Sequence, residues 1–212
     1  MRIPATCEQL EDEIVVGKKG HLDAGLLGSY QLLDLLTREN RSDLVATIMS
    51  QTTYPGWGFL VEKRKVTTWP ETWTGWGSQI IQVVGTPGAW FYEGLAGIRP
   101  DPAAPGFKKI IIKPAIVGDL TWVKAHYDSP YGRIVSNWKR EGDKLTMEVT
   151  IPANTTATVF VPAKDATGVT ESGKPAAESN GVKFLRMENS AAVYAVDSGT
   201  YRFQTTAQET VN

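Results

Sequence analysis

Glu71 lies in Thr67-Thr68-Trp69-Pro70-Glu71-Thr72-Trp73, a carboxylate set between two tryptophans and next to a proline. Such a neighbourhood predicts few water contacts, and a carboxyl group short of water has its pKa raised. A raised carboxyl is what a general acid or base of glycoside hydrolysis needs. A lone Glu in a loop is more often a solvated surface residue, and residue chemistry by itself leaves both readings open. Five of the seven tryptophans (Trp57, Trp69, Trp73, Trp76 and Trp90) fall between Thr52 and Trp90, with Tyr54 and Tyr92 in or beside the same stretch. Tryptophans on Gly- and Pro-punctuated loops suit a concave surface whose aromatic faces pack against sugar C–H groups. The competing reading is that they fill a core between helices. Trp57 and Trp69 are the best candidates for stacking platforms.

Other residues weigh less. His21 stands beside Asp23 where a first helix is expected to begin, and the pair either faces a site or acts as a helix-start cap with a packed imidazole. Glu62 neighbours Lys63, Arg64 and Lys65, so a local surface ion pair is expected. Trp122 and Trp138 fall in strand-rich sequence, where a sheet core is the default. Asn40-Arg41-Ser42 and Asn154-Thr155-Thr156 match a glycosylation pattern too short to carry weight.

The elements that must position these groups change character near Ile98. Before it, Leu22, Leu26, Tyr30, Leu33 and Leu36 recur at helical steps and predict a helix over 22–36. A shorter helix fits Ser42 to Met49 with Ser42 as N-cap, and a third covers roughly Gly77 to Leu95, interrupted or kinked at Thr86-Pro87-Gly88. After Ile98, Arg99-Pro100-Asp101-Pro102-Ala103-Ala104-Pro105-Gly106 cannot continue a helix. Strands are then expected over 107–113, 120–127, 132–139, 144–151, 156–161, 192–196 and 200–203, with marked turns between them. Strands at this spacing suggest an antiparallel sandwich.

Composition removes several classes. A formal net charge of −1 over 212 residues gives no footprint for nucleic acid or an anionic membrane surface. No apolar run approaches the roughly 20 residues that span a bilayer. The single Cys7 excludes an internal disulfide and a cysteine metal site, and two histidines make a zinc site improbable. No cofactor or metal is expected. The first residues lack a basic segment followed by an apolar one, so a cytoplasmic location is the expectation if Met1 is a native start.

Taken in order, four motifs resemble the C-terminal part of bacterial family-78 glycoside hydrolases, the α-L-rhamnosidases. They are Gly20-His21-Leu22-Asp23-Ala24-Gly25-Leu26-Leu27-Gly28, Thr52-Thr53-Tyr54-Pro55-Gly56-Trp57-Gly58, 67–73 and Trp90-Phe91-Tyr92-Glu93-Gly94-Leu95-Ala96-Gly97-Ile98, which leads into Phe107-Lys108-Lys109-Ile110-Ile111-Ile112-Lys113-Pro114. Each is weak alone, and the ordered set is specific. The resemblance implies an α+β multi-domain fold: residues 1–97 as the last helices of a partial (α/α)6 barrel, and 98–212 as a C-terminal β-sandwich. It implies an inverting hydrolysis of terminal α-L-rhamnose from a rhamnose-containing glycoside, with two carboxyl groups roughly 6.5–9.5 Å apart. Glu71 matches the family's general base, while Trp57, Trp69, Trp73, Gln79 and His21 are the substrate-binding candidates.

The departures are also informative. The residue before the Glu is usually Trp in that family and is Pro70 here. Where the family has a His-Asn-His run after a Ser, Ser78 is followed by Gln79-Ile80-Ile81. Gln79 keeps a hydrogen-bonding side chain, whereas Ile81 does not. The family's general acid and the stretch that carries it have no counterpart in this sequence. The resemblance therefore implies a chain with little or no activity alone, completed by the front of the barrel or by self-association. The alternatives are a non-catalytic carbohydrate-binding or accessory module and a structural remnant.

Overall fold

The computed structural model describes residues 4–22, 24–80 and 85–206. Two units divide the chain, Met1–Phe91 and Tyr92–Asn212. The first is helical: α1 (Pro4–Asp12) with a π-helical turn after it (Glu13–Gly17), α2 (Leu26–Arg38), α3 (Ser42–Met49), α4 (Trp57–Glu62) and α5 (Pro87–Trp90). A π-helical turn over Phe91–Leu95 follows α5.

Helix α2 starts at Leu26 rather than Leu22, because Gly25 sits at φ +30° and closes a loop instead of joining the helix. Its buried row is Ser29, Leu33, Leu36 and Thr37, while Tyr30 is exposed. The two hydroxyls allow this rotation of the face: Ser29 donates to the Gly25 carbonyl and Thr37 to the Leu33 carbonyl, both at 2.6 Å, so neither is left bare. Asp23 and Ile81 lie outside the described residues. Ser42 is the first residue of α3, not its cap, and its buried hydroxyl accepts a hydrogen bond from the Trp90 indole N–H at 3.2 Å. Arg41 occupies the cap position. Its guanidinium donates to Glu11 at 2.5 and 2.7 Å and to Asp43 at 2.9 Å, a two-sided fork that ties α1 to the start of α3.

The helix expected over roughly 77–95, with its break at 86–88, does not start at Gly77, and residues 81–84 lie outside the described residues. Among the described residues 71–80 form turns and bends, with Gly75 and Gly77 at positive φ, and an α-helix opens at Pro87, which preorganises its first turn.

The second unit contains β1 (Ile98–Pro100), β2 (Lys109–Ile112), β3 (Trp122–Ser129), β4 (Gly132–Glu141), β5 (Lys144–Ile151), β6 (Thr156–Pro162), β7 (Thr170–Glu171), β8 (Lys174–Pro175), β9 (Val182–Glu188), β10 (Ala191–Val196) and β11 (Gly199–Thr206). One sheet has the order β1-β2-β6-β10-β9 and the other β3-β4-β5-β11-β7-β8. Among the described residues the strand pairings are antiparallel except that of β2 with β6. The alternation of β5, with Leu145, Met147, Val149 and Ile151 buried, shows how one face of each strand feeds a common core. Trp138, Tyr194 and Phe203 are the largest side chains within it. Strands β1 and β9 were not expected from the pattern. Pro100 confines β1 to a sheet edge, and β9 is an edge strand whose Lys183, Arg186 and Glu188 hide its apolar rhythm.

The entry to this sandwich is tightly constrained. Trp138 donates its indole N–H to the Leu95 carbonyl at 2.9 Å, and Ser136 donates to the Ala96 carbonyl at 2.6 Å. The Lys113 N–H reaches the Gly97 carbonyl at 2.9 Å, and Ala115 N–H reaches Gly94 at 3.0 Å. Gly97 has φ +71°, and a Cβ there would stand 2.1 Å from the Lys113 carbonyl carbon. Only a glycine lets the two backbone segments touch. Gly97→Ala is expected to lower stability by at least about 2 kcal/mol, read from urea unfolding of the β-rich signal; an unchanged midpoint would contradict the contact.

The Arg41 fork carries a pH signature. Hydrogen bonding to Arg41 holds the Glu11 carboxyl below its ordinary value of 4.5. A depressed folded pKa contributes stability that is present above the unfolded value and lost as pH falls through the folded one. Thermal melting of the helical signal should therefore weaken as pH drops below about 4.5, and Arg41→Ala should flatten that part of the profile.

Candidate functional site

The stretch between α4 and α5 folds back on itself through its own polar groups. Glu71 N–H donates to the Ser78 carbonyl at 2.8 Å, and Ser78 N–H returns a bond to Glu71 Oε2 at 3.1 Å. Thr72 donates to the Trp76 carbonyl at 2.9 Å, and Arg64 donates to the Thr74 carbonyl. Gln79 is engaged within the same loop: its carbonyl accepts from Thr68 at 3.2 Å and its NH2 donates to the Gly77 carbonyl at 3.0 Å.

Glu71 itself is exposed, as are Thr68 and Gln79, so the expectation of a water-poor carboxylate is not met. Pro70 takes the buried position in the segment, and Trp69 and Trp73 are only half-buried, which leaves the carboxylate in solvent with one oxygen fixed by the Ser78 amide. An oxygen that is not tied down is accessible to an incoming water, which is the geometry a general base requires. Gly77 makes room for this arrangement. It sits at φ +91°, and a Cβ there would lie 2.7 Å from Glu71 Oε2.

Trp57 is 2% exposed, opens α4 and meets Trp73 edge to face at 5.0 Å between ring centres. It is a core residue and not a stacking platform. Trp90 is likewise buried. Tyr54 and Trp76 are exposed, as are Phe91 and Tyr92 at the end of the stretch, and Trp69 and Trp73 are partly so. Glu62 is exposed and forms no ion pair with a described residue, so the expected pair with its basic neighbours is absent; the adjacent Arg64 turns instead to Thr74. Trp122, placed by default in the sandwich core, is 59% exposed, whereas Trp138 is buried as expected. The difference is strand parity: Trp138 points inward on β4, while Trp122 opens β3 on the outer face.

His21 is not a helix cap, since α2 begins five residues later. Its Nδ1 lies 3.0 Å from the Lys18 carbonyl and 3.1 Å from that of Lys19, and its Nε2 lies 2.7 Å from the Thr53 hydroxyl. Carbonyls only accept, so Nδ1 carries the proton, and in the neutral ring Nε2 accepts from Thr53. His21 and Trp73 both line a cleft of about 660 Å³ together with Lys18, Gly25, Tyr54 and Pro55. Its size is that of a small-molecule pocket. Glu71, Gln79, Trp57 and Trp69 are not among its lining residues. The structure thus forms two groups, Glu71 with Gln79 on the 67–80 loop, and His21 with Trp73 at the cleft. Thr53 and Tyr54 belong to the second group and were visible in the sequence only as parts of the Thr-Thr-Tyr-Pro motif.

Replacing Gly77 with Ala should push the Glu71 carboxylate off the Ser78 amide. The expected readout is a large change in the Ser78 amide proton resonance while most other amides keep their positions. A spectrum in which Ser78 does not move would dismiss this anchoring.

Comparison with known proteins supplies a context for this geometry. Residues 4–95 match the bacterial alpha-L-rhamnosidase 6 hairpin glycosidase domain, and residues 97–176 match the bacterial alpha-L-rhamnosidase C-terminal domain. An alpha-L-rhamnosidase of Streptomyces avermitilis is 30% identical over 201 residues, which cover 90% of this chain and 18% of the relative. The alpha-L-rhamnosidase structure from Dictyoglumus thermophilum superposes with a TM-score of 0.81 at 30% identity, over 94% of this chain and 23% of that one. The Streptomyces avermitilis enzyme, solved in complex with L-rhamnose, gives a TM-score of 0.82 at 29% identity, over 95% and 20% of the two chains. The chain spans about a fifth of the length of these relatives.

Proposed function

We propose a function from one premise: this chain belongs to the bacterial α-L-rhamnosidase family. It supplies the closing helices of an (α/α)6 catalytic barrel, within residues 1–97, and the β-sandwich that follows, 98–212. Glu71 is the general base of an inverting hydrolysis of terminal α-L-rhamnose. It takes a proton from the water that attacks the anomeric carbon, while a carboxylic acid outside this chain protonates the leaving oxygen. The observation that carries this reading is the exposed Glu71 carboxylate, steadied through one oxygen by Ser78, in a segment matched to a glycosidase domain. Apolar side chains that face solvent on the helical unit, Val16 at 72% and Ile80 at 85%, support a barrel completed by further helices.

A second reading has its own support. The cleft at His21, Tyr54 and Trp73 does not include Glu71, so binding of a sugar there without cleavage is a coherent alternative. Calorimetric titration with L-rhamnose separates the two when read beside activity.

Two experiments test the first reading. The purified chain should release no aglycone from an aryl α-L-rhamnoside above buffer, and its E71Q variant should behave identically; turnover that vanishes with E71Q would overturn the incomplete-site proposal. Grafted in place of the matching segment of the Streptomyces avermitilis relative, the chain should support hydrolysis. E71Q should then lower kcat by about 10²–10⁴ with KM little changed. A graft that binds L-rhamnose and keeps full kcat with E71Q removes Glu71 from the base role.

A further inference from the structure

The outer face of the sheet built by β3, β4, β5 and β11 holds a shallow cavity of about 460 Å³, lined by Trp122, Lys124, Asn137, Lys139, Glu148 and Arg202 among others. Strand register sets these groups in rows. Lys124 lies opposite Asn137, Asn137 opposite Glu148, and Glu148 opposite Arg202. Trp122 lies opposite Lys139 one step along the strands. All point away from the core, since Trp138, Met147 and Phe203 fill the inner face of the same strands.

The chemistry of this face is unusual for a bare sheet surface. Trp122 presents its ring to solvent at 59% exposure. Asn137 Oδ1 accepts from the Ala125 N–H at 3.1 Å, which fixes the amide and leaves its NH2 without a partner among the described residues. Lys139 pairs with Glu141, while Lys124, Glu148 and the Arg202 guanidinium have no ion pair among the described residues, although Glu148 and Arg202 face each other across neighbouring strands. The row thus offers a planar donor, an amide donor and a carboxylate acceptor side by side, next to one aromatic face.

We propose that this face is a second, non-catalytic saccharide-binding site, in which Trp122 stacks on a sugar ring and Asn137, Glu148 and Arg202 hydrogen-bond its hydroxyls. Neutral hydroxyl groups both donate and accept, so a mixed row of donors and acceptors matches them. A phosphate-bearing ligand would meet the Glu148 carboxylate at the centre of the row. A protein partner would bury several unpaired charges around a single large apolar group, whereas charged residues are depleted at the core of protein interfaces. The site lies on the sandwich and does not depend on the role given to Glu71; only the choice of a rhamnosyl probe rests on the family reading.

The test uses the whole chain, isotopically labelled, titrated with rutinose, a rhamnosyl-glucose disaccharide, and in parallel with cellobiose. The expected result is a saturable shift of the Trp122 indole N–H and the Asn137 side-chain amide with at least one of the two sugars, unchanged in E71Q. Trp122→Ala, with its amide spectrum otherwise intact, should weaken binding about tenfold or more, and Arg202→Ala should weaken it in the same direction. No shift on this face with either disaccharide, or equal affinity in W122A and R202A, would overturn the proposal. So would a gel-filtration mass well above the 23.2 kDa monomer that W122A restores to monomer, because the face would then pair with a second copy. Shifts confined to the His21 cleft would also overturn it while leaving the reading of the helical unit untouched.

Discussion

The sandwich unit depends on one close crossing of backbone. Residues 94–97 lie flush against 113–115, and the contact exists because Gly97 has no side chain to hold the strands apart. Hydrogen bonds from Trp138 and Ser136 then satisfy the carbonyls of Leu95 and Ala96 from the opposite sheet. A buried carbonyl left without such a partner costs about 1–3 kcal/mol. The crossing therefore sets β1 beside β2, brings a β4 indole to the segment that leads into β1, and fixes where the common core begins.

The helical unit is organised by polar pins. Arg41 joins α1 to α3 through two carboxylates, Trp90 reaches the Ser42 hydroxyl, and His21 is oriented by two carbonyls and Thr53. The 67–80 loop uses the same device at smaller scale, with the carbonyls of Trp76 and Gly77 and the Ser78 amide held by side chains of the loop itself. A loop bound in this way presents Glu71 at a defined place although the carboxylate stands in water. That arrangement suits a base whose environment is completed by other parts of a barrel, as proposed above.

Much of the second unit was legible as a pattern. Strand β5 matches its expected limits, Lys144–Ile151, because strict alternation between two turns leaves no other register. The short β7 and β8 and the charged edge strand β9 carry too little periodicity to announce themselves. In the helical unit the helix expected from about Gly77 does not begin there, since Gly77 sits at positive φ in a turn, while the break expected at 86–88 coincides with the start of α5 at Pro87. The aromatic stretch stands out in the sequence as one cluster, yet its residues separate on folding: Trp57 and Trp90 lie in the interior and Tyr54 and Trp76 on the surface.

By itself the sequence determined the switch from helix to strand near Ile98, the order of the motifs and the residue types available for chemistry, all of which are local properties of spacing and composition. Tertiary structure alone decided which tryptophans are core, that Glu71 is exposed and held by Ser78, that His21 answers Thr53 across 32 positions, and that Trp122 faces outward on the same sheet face as Arg202, three strands away. The physical reason is that burial and hydrogen-bond partnership are set by neighbours brought together only on folding, and a residue's own spacing does not contain them.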